Sequence, residues 1–173
     1  QAGARVLLLE KQPAAGGSTV LSGGFFAFAG TDLQQAAGVE DSNARLFEDL
    51  RRAGGEQNDE RLLAVYVDHQ LEAYAWLKKI GMAFKPLQLS SAQSVPRTHP
   101  LDPEALIKRL RDLAEQTGRV QTLLNSPAER LLQDAPRVRG TGVLAAIDGR
   151  REAIRARRGV VLAAGGFSRN EQM

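Results

Sequence analysis

The sequence predicts an α/β domain with a parallel sheet covered by helices, and three observations carry that expectation. The first is the unbroken apolar run Val6-Leu7-Leu8-Leu9, too short for a helix and without alternation, as in a strand buried on both faces. The second is a matching run late in the chain, Gly159 to Ala164 (GVVLAA). The third is the intervening sequence, where apolar residues recur every three or four positions in several helical stretches. The two apolar strands are expected to lie side by side, so that the glycine-rich segments following them converge.

Those segments carry the candidate chemistry. Glu10 closes the first run, and ligands of open α/β sheets gather at the carboxyl ends of the strands. A carboxylate there accepts hydrogen bonds from the vicinal hydroxyls of a ribose. The pairs Gly16-Gly17 and Gly23-Gly24 follow, with the hydroxyls of Ser18, Thr19 and Ser22 among them. Glycine lets a backbone approach a flat ring or a pyrophosphate, and short hydroxyls add hydrogen bonds. The plainer reading of the same residues is a buried strand followed by a flexible Gly/Ser loop.

A length of 173 residues suits one domain, or one with a small insertion, and buries a core without staples. The chain has no cysteine, which excludes disulfides, thiolate metal sites and a cysteine nucleophile and leans toward the cytoplasm. His69 and His99 are its only histidines, too few for a histidine-rich metal site. The net charge of +3 and pI near 9.6 raise the question of nucleic acid. The basic residues are dispersed among acids, however, save at Arg150-Arg151 and Arg155 to Arg158, which read as a solvated hairpin face. No apolar run approaches the roughly 18 residues of a membrane span. The chain begins without methionine and stops just after an apparent helix start, so both ends are expected to be cut.

In chain order, Phe25 to Gly30 reads as a strand or extended segment beneath a ligand. Thr31 or Asp32 caps a short helix ended by Gly38, and a second begins near Asp41 or Ser42 with Leu46, Phe47 and Leu50 inward. The longest helix follows Asn58 as a cap, with Leu63, Val67, Leu71, Tyr74, Leu77 and Ile80 as its stripe and Gly81 as its stop. His69 lies off that stripe and reads as a surface residue, and Trp76 beside it as packing. Met82 to Leu89 is extended. Ser90 to Pro100 is a polar, proline-bearing loop in which Arg97 can hold a carboxylate and His99 can donate to an oxygen; an ordinary exposed loop is the alternative. Asp102 caps a helix with Pro103 in its first turn and Leu106, Ile107, Leu110, Leu113 and Ala114 inward. Strands are expected at Val120 to Leu124, Ala128 to Leu132 and Arg137 to Ile147, with Asp148-Gly149 turning into Arg151 to Arg157. Gly165-Gly166 then opens a helix that Ser168 or Asn170 caps, a backbone site for phosphate.

Taken together, these motifs resemble the FAD-binding domain of the fumarate reductase and succinate dehydrogenase flavoprotein family, which includes 3-ketosteroid dehydrogenases. The resemblance rests on Gly3-Ala4 with Val6 to Lys11, on Gly16-Gly17-Ser18-Thr19 with Ser22-Gly23-Gly24, and on Val160 to Phe167 with Asn170. It extends to the order of Asn58-Asp59, the Arg97-Thr98-His99 loop and the Leu106 helix, and covers nearly the whole chain.

The resemblance implies an incomplete Rossmann-like FAD-binding domain over residues 1–173, with a helical insertion at about 32–118 and a β-rich return at 119–173. It implies that Glu10 binds the ribose of the AMP half and Lys11 lies near the adenine, whose edge meets the Ala128 backbone. Gly16, Gly17, Ser18 and Thr19 follow the cofactor toward the isoalloxazine; Ser22, Gly23 and Gly24 approach the ring and ribityl chain; Ala164, Gly165 and Gly166 line the pyrophosphate side. The family's opening strand with its Gly-x-Gly-x-x-Gly turn is missing, to be supplied by more of the chain or by a second chain in an oligomer. Relatives that attach flavin covalently use a histidine in the loop after the Glu10 strand. This loop has none, so FAD is expected to be noncovalent, and weakly held or absent in the fragment.

The implied activity is transfer of hydride to or from a carbon–carbon bond beside a carbonyl or carboxylate of a small-molecule substrate. The capping domain that carries substrate-binding and proton-donating groups, an arginine in fumarate reductases, follows Gly166-Phe167 in the family. No catalytic residue and no metal ligand is therefore assigned within this chain, Arg97 and His99 are taken as structural, and the fragment is expected to be inactive. The competing expectation is a non-enzymatic α/β module that binds a protein partner or another nucleotide.

Overall fold

A computed structural model describes residues 3–133 and 141–166. Its elements run β1 (Val6–Leu9), β2 (Phe25–Ala27), α1 (Asp32–Ala36), α2 (Asn43–Ala53), α3 (Glu60–Lys79), β3 (Thr98–Pro100), α4 (Pro103–Glu115), β4 (Val120–Leu123), β5 (Ala128–Leu132), β6 (Gly142–Ile147) and β7 (Arg150–Arg155). The chain divides into two compact units, Gln1–Ser18 with Ile107–Met173, and Thr19–Leu106.

In the first unit β1 pairs in parallel with β4, Val6 opposite Val120 through Leu9 opposite Leu123. A separate antiparallel sheet has the order β5-β6-β7. The β6–β7 turn places Asp148 and Gly149 at φ +49° and +77°, the mirror-image turn whose twist matches a two-residue hairpin. Val143 and Ala145 of β6 are buried, while Arg150, Arg151 and Arg155 of β7 are exposed, as a solvated face requires.

The second unit is helical around a small antiparallel pair, β2 with β3. Thr31 caps α1 through a reciprocal box with Gln34, and Ser42 caps α2 by accepting the Arg45 N–H at 3.2 Å. Asp59, not Asn58, caps α3; its carboxylate accepts the Arg61 N–H at 2.9 Å. The Asn58 side chain instead lies over Gly54, where a Cβ would overlap it. A core of Ala29, Leu46 and Val67 joins α2 and α3 to β2. Beside it the rings of Phe28, Tyr74, Phe84 and His99 form a cluster with centroids 5.0–6.1 Å apart.

Several expectations fail here for physical reasons. Gly159 to Ala164 forms no strand: Val161 is 89% and Leu162 69% exposed. An apolar run specifies burial but not a partner, and a strand needs a neighbour to take its backbone hydrogen bonds. Strand β1 meets β4 along one edge, and no other described strand pairs with it. Its Val6, Leu7 and Leu8 are correspondingly exposed rather than covered. On α3 the buried face is Val67, Gln70, Tyr74 and Leu77, and Leu71 and Trp76 face outward. Ser90 to Pro100 is not an exposed loop throughout, because β3 forms within it and Arg97 to Pro100 are buried. The strand expected from Arg137 begins at Gly142; residues 134–140, and Phe167, Ser168 and Asn170, lie outside the described residues.

Candidate functional site

Glu10 directly follows β1, at the strand's carboxyl end. Its Oε1 accepts the Gln12 N–H at 2.8 Å, and its Oε2 has no hydrogen bond among the described residues. The backbone around it is tied to the exit of β4. Glu10 N–H donates to the Leu123 carbonyl at 2.9 Å, Ser126 N–H to the Glu10 carbonyl at 2.8 Å, and Asn125 N–H to the Gln12 carbonyl at 3.1 Å. Ala128 opens β5 two residues beyond Ser126, at a register shift against β6 that lies between Ala128 and Arg130. The structure thus brings the acid and Ala128, 118 positions apart in sequence, to neighbouring strand ends.

The glycines separate into two kinds. Gly17 (φ +50°) and Gly165 (φ +76°) need the left-handed region, and a Cβ at either, or at Gly166, would meet nothing within 4 Å. Their backbones stand open to an approaching group. Gly24, at φ +66°, is buried, and a Cβ there would overlap the carbonyl oxygen of Leu101, whose N–H donates to the Gly24 carbonyl at 3.0 Å. The chain's own packing therefore requires this glycine. The Ser22 hydroxyl is likewise engaged locally: it donates to the Thr19 carbonyl at 2.7 Å and accepts the Gly24 N–H at 3.2 Å. A Cβ on Gly23 would meet the exposed Phe25 ring at 3.0 Å.

Glu10, Lys11, Gly16, Gly17 and Ser18 belong to one unit with Ala128, Ala164, Gly165 and Gly166, whereas Thr19, Ser22, Gly23 and Gly24 belong to the other. The expected pairing of the two apolar runs is not formed among the described residues, so it lends no support to a shared nucleotide bed. Among those residues there is no cluster of three or more His, Asp or Glu suited to a metal and no helix long and apolar enough to cross a membrane.

Arg97 and His99 serve the interior. His99 is fully buried; its Nδ1–H donates to the Arg97 carbonyl at 2.7 Å, and its Nε2 accepts the Thr31 hydroxyl at 2.8 Å. Both ring nitrogens are used, and burial pushes the imidazole below its ordinary pKa despite the Arg97 carbonyl and the more distant Asp32 and Asp41. Arg97, 1% exposed, pairs through Nη2 with Asp41 at 2.9 Å and Asp49 at 3.1 Å. Burial raises the Asp49 carboxyl, but the Ser94 N–H and hydroxyl, Arg52 and Arg97 outweigh it and hold Asp49 below the usual range. His69, by contrast, sits on the surface 3.3 Å from Glu72.

Sequence reasoning missed Gln70. Its amide accepts the Ala29 N–H at 3.1 Å and donates to the Ala29 carbonyl at 3.0 Å. The spacing Val67, Gln70, Tyr74, Leu77 carried the signal, concealed by a polar residue.

An acid at a strand exit in an α/β chain, followed by glycines with open backbones, is an arrangement that nucleotide-binding domains use. Comparison with known proteins narrows the class: the family described as FAD binding domain matches residues 1–173. The chain belongs to that family, the flavoproteins of the fumarate reductase, succinate dehydrogenase and 3-ketosteroid dehydrogenase group. It is 33% identical to a "Probable fumarate reductase" of Shewanella frigidimarina over 100% of the chain and 30% of that protein. It is 34% identical to a urocanate reductase of Eggerthella lenta, over 100% of the chain and 29% of the relative. Among solved structures it superposes on a 3-ketosteroid-Δ4-(5α)-dehydrogenase of Rhodococcus jostii with a TM-score of 0.83 and 29% identity, covering 96% of this chain and 42% of that one. The mixed α/β fold and its small antiparallel sheet agree with that likeness. The chain thus spans less than half the length of each of these relatives.

Proposed function

We propose that this chain forms part of the FAD bed of an oxidoreductase that adds hydride to, or removes it from, a carbon–carbon bond next to a carbonyl or carboxylate. One observation carries the reading beyond family membership. The open Oε2 of Glu10 sits at the exit of β1, and that exit is hydrogen-bonded to the segment that leads into Ala128.

This geometry suits the adenosine half of the cofactor. Glu10 accepts the ribose hydroxyls, Lys11 lies near the adenine, and the Ala128 backbone meets the base. Gly16, Gly17, Ser18 and Thr19 lead toward the isoalloxazine, and Ser22, Gly23 and Gly24 approach the ring and ribityl chain. Ala164, Gly165 and Gly166 offer backbone amides to the pyrophosphate. Bound flavin supplies hydride exchange at N5; the chain's residues bind and orient it. The attachment is noncovalent. The groups that hold substrate and move protons come from a capping domain beyond these residues, and the described chain alone turns over nothing. The exposed outer edge of β1 is where a preceding strand with its Gly-x-Gly-x-x-Gly turn pairs, completing a Rossmann-like sheet. The same strand gives Gly159 to Ala164 its missing neighbour.

The test is Glu10→Ala in the full-length protein, read by flavin fluorescence titration. Loss of a charge-assisted hydrogen-bond pair is expected to weaken FAD binding about 10- to 100-fold with folding intact. Unchanged affinity removes Glu10 from the ribose role, and a full-length protein that takes up no FAD ends the enzyme reading.

A further inference from the structure

The second unit leaves an apolar surface uncovered. Strand β2 and helix α3 are held in step by two polar contacts. The Gln70 amide bonds both backbone groups of Ala29 at 3.0 and 3.1 Å, and the Tyr66 hydroxyl donates to the Ala27 carbonyl at 2.7 Å. Two strand residues and four helix residues advance by nearly the same distance, about 6–7 Å. One further step along both elements sets Phe25 beside Leu62, on the face of β2 from which Ala27 and Ala29 pack against Val67. Val65 and Tyr66 adjoin Leu62 at helical spacings of three and four. Phe25 is 60% exposed, Leu62 69%, Val65 57% and Tyr66 41%. No charged residue stands between Lys11 and Asp32 to break the patch on the strand side.

We infer, on the flavin reading proposed above, that this patch is the seat on which the capping domain of the full-length protein docks. Phe25 directly follows Ser22-Gly23-Gly24, the segment assigned to the isoalloxazine, and its ring lies over Gly23, where a Cβ would meet it at 3.0 Å. A domain that carries substrate-binding groups has to reach the ring end of the bed, so it arrives beside Phe25. The relatives have ample chain for such a domain, since this one spans less than half of their length. Bound flavin by itself can shield Phe25 but not the outward side of α3, along which Leu62 and Val65 extend the patch. A second copy is a poorer occupant. Asp68 and Glu72 carry negative charge along the same side of α3, and pairing that side with itself opposes like charges that a different domain can complement. Contiguous apolar side chains of this size, left bare in a soluble unit, mark a contact surface.

The full-length protein with p-benzoylphenylalanine in place of Leu62 tests the docking. Leu62 is exposed, so its replacement leaves the core of this unit intact. Irradiation is expected to give an intramolecular cross-link, mapped by mass spectrometry to the chain beyond Met173. A cross-linked dimer assigns the patch to a second copy and overturns the inference. So does a link that stays within residues 1–173 or reaches a segment before them, and so does the absence of any link. The same probe in place of Leu71, 40% exposed on the opposite side of α3, is expected to capture nothing beyond Met173, and equal capture from both positions overturns the docking. Flavin absorbance of the sample separates the two failures. A yellow protein without the cross-link fails the docking alone, whereas a protein that takes up no FAD fails the proposed function and the docking with it.

Discussion

At the scale of single residues, glycines that look alike in sequence answer to different causes. Gly24 must be glycine because of a positive φ and because the Leu101 carbonyl occupies the space of a Cβ. Gly17 needs only its φ, with open space around it. Gly24→Ala is therefore expected to cost about 3 kcal/mol or more in urea unfolding, combining clash with strain. Gly17→Ala should cost about 1 kcal/mol, and any larger loss in the full-length protein should appear in FAD affinity rather than in stability. Both glycines were legible in the sequence as special positions. Which one packs against its own chain was not, because Leu101 is 77 residues away from Gly24.

At the scale of elements, α3 and β3 lock the second unit through polar contacts in an apolar setting. Gln70 satisfies both backbone groups of Ala29 from α3. Gln70→Leu would make the helix stripe more apolar yet should destabilise by about 2 kcal/mol in denaturant unfolding, since two buried backbone groups lose partners worth more than the added apolar burial. His99 on β3 binds a proton less readily folded than unfolded, so acid favours the unfolded chain. Its contribution is complete above a pH of about 6.5 and is lost as pH falls through the lower folded-state value. The urea midpoint should drop between pH 7 and 5, and His99→Gln should flatten that drop. The carboxylates held low, Asp49 among them, add to the loss only at more acid pH, below their ordinary 3.8. A reading of Arg97-Thr98-His99 as an exposed loop was reasonable from two prolines and polar neighbours. Pairing of β3 with β2 drew it inside, and no local pattern encodes a partner some 70 residues upstream.

At the scale of the whole molecule, β1 is the place where more chain should matter. Val6 and Glu10 direct their N–H groups to Arg119 and Leu123, so the alternation of a strand turns those of Leu7 and Leu9 to the open edge. In residues 1–173 alone these two amides should exchange with solvent rapidly. In a longer protein with a strand on that edge they should slow by orders of magnitude in hydrogen-exchange measurements, and equal rates would leave the edge without a partner. Apolar runs, caps, helix stops and the Asp148-Gly149 turn were all written locally, within a few residues, and so could be read before any coordinates: they set the α/β class, most element positions and the acid at the first strand's exit. Pairing was not. Whether Gly159 to Ala164 finds a ladder, that the Glu10 exit meets the segment before Ala128, and that Arg97 and His99 lie inside all depend on contacts between distant segments, whose hydrogen bonds and desolvation exist only once the chain has folded.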